Sequence, residues 1–181
     1  MHAFVPSFED SVLPHLDAAY NLARWLTRND RDAEDVVQEA YLRAFKYFGN
    51  FKGGDARPWL LAIVRNTYHN WIKHNRIPEI EITFEEETHP HTLDTIDPEF
   101  LLLREHERQI VRRALRELPT EFMEVIVLRE FEELSYRQIA DVAQIPVGTV
   151  MSRLARARRR LAELISNCGS KATPAELLVN V

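Results

Sequence analysis

Residues 134–161, Leu134-Ser-Tyr-Arg-Gln-Ile-Ala-Asp-Val-Ala-Gln-Ile-Pro-Val-Gly-Thr-Val-Met-Ser-Arg-Leu-Ala-Arg-Ala-Arg-Arg-Arg-Leu161, restrict the fold more than any other part of the chain. Ser135 and Gln138 make an S-x-x-Q capping box just ahead of Ile139, Ala140 and Ala143, which marks a helix start. Pro146 then precedes a second, longer helix that the apolar pattern carries to about Ile165. Ala140 is small where the two helices must cross. Ile145 and Val150 can fill the wedge between them, and Ile139 and Leu154 point towards a core. A helix, a tight turn and a longer basic helix form a helix-turn-helix. Val147, Gly148, Thr149, Ser152, Arg153 and Arg156 fall at the start and on the exposed face of the second helix, where side chains enter a major groove. Arginine can read guanine edges bidentately, and serine or a helix N-terminus can hold phosphate. Arg158, Arg159 and Arg160 are better placed to contact phosphates than bases. The plain alternative is a solvated basic face, but the complete wedge pattern accompanies the charge.

The remaining sequence is also helical in pattern. Upstream of this motif, Phe100 to Leu118 spaces Leu103, Ile110, Val111, Ala114 and Leu118 for one face. Pro119 or Thr120 starts a further helix carrying Phe122, Val125, Ile126 and Leu128. In the first half, Leu13, Leu16, Ala19, Tyr20, Ala23 and Leu26 make one amphipathic stripe. Asp30 is the expected N-cap of a helix with acidic residues in its first turn and Val36, Val37, Ala40, Tyr41, Ala44, Phe45 and Phe48 on its apolar side; Gly49 is the expected stop. Pro58 can open a third helix with Leu60, Ile63, Val64 and Trp71 on one side. Between the halves, residues 78–99 hold Pro78, Pro90 and Pro98 and no sustained period, so a linker is expected rather than the short strand conceivable at Ile80–Phe84. The expected fold is all-α: two small helical domains, residues 7–77 and 100–165, joined by an acidic linker at 78–99, with a tail at 166–181.

Charge is distributed unevenly. The formal net charge is −5, which by itself argues against a nucleic-acid partner. Residues 43–78, however, carry seven basic side chains and one acidic, while residues 79–99 carry eight acidic and none basic. Such segregation implies different partners for different segments. The apolar runs are too short to span a bilayer, and no secretory leader is visible, so no membrane insertion is expected. The single cysteine, Cys168, rules out an internal disulfide and suits a reducing cytoplasm. His89 and His91 beside Glu85, Glu86 and Glu87 could ligate a metal, but they fall in the irregular tether. No phosphate-binding glycine loop, nucleophile elbow or catalytic carboxylate pair is present, so neither enzymatic activity nor a cofactor is expected.

Three motifs then occur in order. Asp32-Ala-Glu-Asp-Val-Val-Gln-Glu-Ala-Tyr-Leu-Arg-Ala-Phe45 resembles region 2.2 of the extracytoplasmic-function (ECF) sigma factors of the bacterial sigma-70 family. Arg57-Pro-Trp-Leu-Leu-Ala-Ile-Val-Arg-Asn66 is similar to the DNA-melting segment that follows it, and the helix-turn-helix resembles region 4, which reads the minus-thirty-five promoter element. The resemblance covers about residues 8–165 and implies a dissociable initiation subunit of RNA polymerase. It implies that Asp35, Gln38, Glu39 and Arg43 grip the β′ clamp coiled coil of core polymerase, with the β flap as a further contact. It also implies that the loop Phe51, Lys52, Gly53, Gly54, Asp55 to Arg57, with Asn66 nearby, captures a base flipped from the minus-ten element. Lys52, Arg65, Lys73 and Arg76 would hold the single-stranded backbone. An anti-sigma factor is implied as a further partner. Trp59 is expected in the core; Trp71 could pack or stack.

Two positions depart from the pattern. Met151 stands where the family often has Lys or Arg, and Gln144 stands in the inter-helix turn, where Gly, Asn or Asp enters a left-handed backbone more easily. An ordinary helix-turn-helix repressor would account for residues 119–161 but leave both earlier motifs unexplained. A pure adaptor is the third reading, and it should not support promoter-directed transcription.

Overall fold

The computed structural model describes residues 7–75 and 108–167. Within them the chain is helical throughout, with no strand. The acidic tether, Arg76, Leu103, Cys168 and the histidines of the alternative metal reading lie outside the described residues.

The first group begins with α1 (Phe8–Val12), capped by the Ser7 hydroxyl, which accepts from the Asp10 N–H at 3.1 Å. A 3-10 turn at Leu13–His15 leads into α2 (Leu16–Thr27). The expected stripe on α2 is displaced. Ala19, Ala23 and Leu26 are buried as expected, but they are joined by Leu22, while Leu13 and Leu16 are exposed. The 3-10 turn takes Leu13 out of the α period, and Leu16 stands at the first position of α2. Helix α3 (Asp30–Tyr47) is capped by Asn29 and not by Asp30. Asn29 has the extended backbone that a cap needs, and its side chain accepts from the Asp32 N–H at 3.0 Å. Asp30 instead takes a hydrogen bond from Arg24 at 2.7 Å. Gly49 is not a left-handed stop either: α3 tightens into a 3-10 turn, Phe48–Asn50. Helix α4 (Ala56–Asn75) starts two residues before Pro58, with the Asp55 carboxylate accepting the Arg57 N–H at 3.0 Å. Small residues Ala33, Ala40 and Ala44 let α3 approach α2 and α4 closely, and Leu22, Val36, Leu60, Leu61 and Val64 fill the space between them.

The second group comprises α5 (residues 108–116), α6 (Thr120–Ile126), α7 (Tyr136–Ala143) and α8 (Val147–Asn167). Helix α6 runs into a π-helical turn, Val127–Phe131, closed by the Glu132 N–H on the Val127 carbonyl at 3.1 Å. The capping box forms as read: the Ser135 hydroxyl accepts from the Gln138 N–H, and the Gln138 side chain accepts from the Ser135 N–H. Ile139, Ala140, Val150 and Leu154 are buried around the crossing of α7 and α8, and Leu161 and Ile165 are buried further along α8.

Gln144 adopts the left-handed conformation at φ 54°, ψ 45°. An L side chain resists that backbone by roughly 1–2 kcal/mol, and glycine does not. Gln144→Gly is therefore expected to stabilise the second group by about 0.5–1 kcal/mol, net of the extra freedom glycine brings to the unfolded chain. Thermal melting of the two proteins checks it, and a lower melting temperature for the glycine variant would show that the Gln144 side chain has a role of its own.

The two groups pack against each other, with α2 and α4 facing α6, the π-turn and α7. The buried apolar residues of both form one continuous cluster.

Candidate nucleic-acid interface

The helix-turn-helix presents the outer face of α8. Val147, Gly148, Met151, Ser152 and Arg156 are exposed along it, with Thr149 partly covered. The Ser152 hydroxyl donates to the Thr149 carbonyl at 3.0 Å, so it is held on the helix and still offers its lone pairs outward. The exposed methyl and thioether groups of Val147 and Met151 suit apolar contact with thymine methyls, where a charged residue would have sought phosphate.

The arginines of α8 divide into two sets that the sequence did not separate. Arg158 donates through Nε and Nη2 to Glu130 at 3.2 and 2.6 Å, and this hydrogen bond is the main cause that pushes its pKa further up. Arg160 pairs with Glu163 at 3.2 Å, and Arg153, only a quarter exposed, lies 3.6 Å from Glu121. Arg156 and Arg159 are exposed with no acidic partner among the described residues. An unpaired guanidinium needs no internal bond broken before it meets DNA.

The second candidate surface is formed by α4 and the loop before it. Gly53 and Gly54 both have positive φ, 83° and 90°, a conformation strained for any other residue here. Lys52, Gly53, Gly54, Asp55 and Lys73 are exposed, and Phe51 and Asn66 are half-buried. Phe51 stacks on Phe48 with ring centroids 5.8 Å apart and meets Trp59 at 5.1 Å. Trp59 thus sits in an aromatic group that floors the loop, in agreement with the packing role expected of it. Trp71 is half-buried against the core. Burial foremost, with the charges of Arg65 and Lys73 adding to it, pushes the His69 imidazole below its ordinary range.

Two of the basic residues expected to hold DNA are engaged inside the protein. Arg65 Nε donates to Glu124 of α6, and Arg57 Nη2 donates to Glu132 at 2.5 Å. Glu124 and Glu132 are 3% and 2% exposed, the two buried charged side chains among the described residues. Burial pushes the Glu124 carboxyl above its ordinary range, and Arg65 and Arg153 pull it back without cancelling that shift. Around these pairs, Arg28 donates to the Leu118 carbonyl at 2.9 Å, Gln138 approaches Asp55 at 3.4 Å, and Trp25 faces Phe131 at 6.0 Å.

The third surface is the solvent side of α3. Asp35, Gln38 and Glu39 are exposed, and Glu39 accepts from Arg43 at 2.7 Å. Leu42 and Phe45 stand out beside them at 63% and 65% exposure, which the apolar pattern had assigned to the core in the case of Phe45. Phe45 also meets the Phe8 ring edge-on at 5.3 Å.

A family model described as Sigma-70 region 2 matches residues 12–77, and one described as Sigma-70, region 4 matches residues 108–161. The RNA polymerase sigma-H factor of Pseudomonas aeruginosa is 36% identical over 162 residues, 86% of this chain and 84% of that one. The ECF RNA polymerase sigma-E factor of Escherichia coli strain K12 is 38% identical over 137 residues, 72% of each. Among solved structures, the sigma factor RpoE of Bartonella quintana, in complex with the anti-sigma factor NepR, superposes with a TM-score of 0.66 at 26% identity. That match covers 88% of this chain and 96% of RpoE. CnrH, in complex with the cytosolic domain of CnrY, superposes at 0.61 with 25% identity over 88% of each chain. The chain belongs to the sigma-70 family. Within it the chain is a member of the ECF group, whose members are transcription initiation factors.

Proposed function

We propose that this sigma factor makes three separate contacts during initiation, each on one of the surfaces described above. The solvent face of α3, with Asp35, Gln38, Glu39 and Arg43, grips the β′ clamp coiled coil of core polymerase. The loop from Phe51 to Arg57, with Arg65, Asn66 and Lys73 on α4, takes the single-stranded minus-ten element. The outer face of α8 reads the minus-thirty-five duplex, while the second helical group also meets the β flap. The protein acts in the cytoplasm, lends specificity rather than catalysis, and is held in check by an anti-sigma factor, as the likeness to a sigma factor solved with its anti-sigma factor supports. Residues 7–77 and 100–165 are the corresponding functional units.

The observation that carries this reading is the pairing pattern on α8, where Arg156 is exposed and free of carboxylates among the described residues, on the same face as Gly148 and Ser152. A base-reading arginine should lose sequence discrimination on removal. Arg156→Ala is expected to weaken binding to the matched minus-thirty-five duplex by about 1–3 kcal/mol and binding to a scrambled duplex far less. Arg159→Ala should weaken both alike and lower the slope of log affinity against log salt by about one. Titrating both duplexes at several salt concentrations checks this. Equal losses for Arg156→Ala on the two sequences would make it a phosphate contact.

A further inference from the structure

The exposed side of α8 is laid out in two neighbouring rows, each spaced at i, i+4 and i+8. One row is Gly148, Ser152 and Arg156; the other is Val147, Met151 and Ala155, and all six residues are exposed. The second row carries no polar side-chain atom. Val147 and Met151 are 39% and 54% exposed, so neither is spent on the core that Val150 and Leu154 fill from the other side of the helix. Charge for phosphate contacts stands beside this row, in Arg156 and Arg159, which have no acidic partner among the described residues. Val147 and Met151 lie about 6 Å apart along the helix, at roughly 1.5 Å per residue. Base pairs stack about 3.4 Å apart, so that separation spans one to two steps of a duplex. On the major-groove edges of the four bases, the apolar group is the thymine C5-methyl.

We propose that Met151 and Val147 are specificity-determining residues for the minus-thirty-five element: each covers the C5-methyl of one thymine, and the two thymines lie one or two base-pair steps apart. The proposal rests on the assignment of the outer face of α8 to that duplex made above. Covering a methyl removes apolar surface from water and releases no counterion, so it adds affinity that salt does not erode. The unbranched thioether chain of Met151 adapts its shape to such a group. A lysine or arginine in its place would seek a phosphate or a guanine edge and favour a different sequence. The chain therefore exchanges a charged contact for a preference for thymine.

The test uses holoenzyme assembled from the full chain and core polymerase, with a pool of promoter duplexes randomised across the minus-thirty-five element. Sequences retained by the wild type should hold two thymines at that spacing. In a retained duplex each thymine is then replaced singly by uracil, which keeps the base pair and deletes the methyl alone. Two of these replacements should each weaken binding about fourfold, the value of one buried methyl group. The slope of log affinity against log salt should stay unchanged on both duplexes. Holoenzyme carrying Met151→Ala should be indifferent to uracil at one of the two positions, and Val147→Ala at the other. Met151→Arg should lose the same methyl preference as Met151→Ala and steepen the salt slope by about one. Both side chains are exposed, so each variant should keep its helicity and its hold on core polymerase. A retained sequence whose thymines all tolerate uracil overturns the proposal and leaves the duplex-reading role of α8 standing. Uracil losses that persist in both alanine variants assign the methyls to other residues and overturn it as well. A pool in which no sequence is preferred overturns the assignment of α8 to the minus-thirty-five element, and the proposal with it.

Discussion

A chain carrying Asp35→Lys and Glu39→Lys is expected to lose core polymerase binding by about a hundredfold, or roughly 3 kcal/mol, because reversal converts attraction into like-charge contact on a desolvated surface. Both carboxylates are exposed on one face of α3, so reversal disturbs no internal packing. The internal cost is limited to the Glu39–Arg43 pair, an exposed i,i+4 contact worth about 0.3–0.5 kcal/mol. Competition against a labelled sigma factor for core enzyme measures the loss, and circular dichroism confirms that the fold persists. Undiminished competition by a well-folded variant removes this face of α3 from the polymerase interface.

Leu154→Ala should have the largest effect on stability. Leu154 is 1% exposed where α8 crosses the rest of the second helical group. Truncating a fully enclosed leucine removes the transferred methyl groups and leaves a cavity, at about 2–5 kcal/mol. For a unit of this size that corresponds to a fall in melting temperature on the order of 10–40 °C. Recognition of the minus-thirty-five duplex should fall with it even at temperatures where the first group stays folded, since α8 would no longer be held at a fixed angle. A change below about 1 kcal/mol would mean that the site collapses without a cavity, contrary to the packing around α7 and α8.

These two predictions draw on parts of the molecule that differ in how openly the sequence declares them. The helix-turn-helix was legible because several local signals agree: the Ser135 capping box, the small Ala140, the wedge of Ile145 and Val150, and apolar spacing through Leu161. The α3 surface was legible from its motif, and its exposure followed from the spacing of Asp35, Gln38 and Glu39. Finer boundaries were not. Asn29 and Asp30 are both good caps, and only the extended backbone of Asn29 decides between them. Phe45 looked like a core residue because it continues the apolar period, yet it faces solvent. The seam between the two helical groups was the hardest to anticipate. Its ion pairs join residues 75 and 59 positions apart, so no periodicity records them. One local clue existed: Glu124 interrupts the apolar run from Phe122 to Leu128, and a carboxylate on the buried side of a helix needs a cation to face it.

The π-helical turn at Val127–Phe131 makes that seam respond differently to the loss and to the gain of one residue. A π-turn accommodates one residue more than an α-turn, and each residue advances the chain by about 100° around the helix axis. Loss of a single codon within the turn would restore ordinary winding with Glu132 still over the Val127 carbonyl and near Arg57, whereas gain of one would swing Glu132 about 100° away. The Ser135 capping box lies beyond it, so α7 and α8 could still start where they do. Insertion at one turn can thus loosen the hold of the two halves on each other, and deletion can spare it, without altering a residue on the outer face of α8.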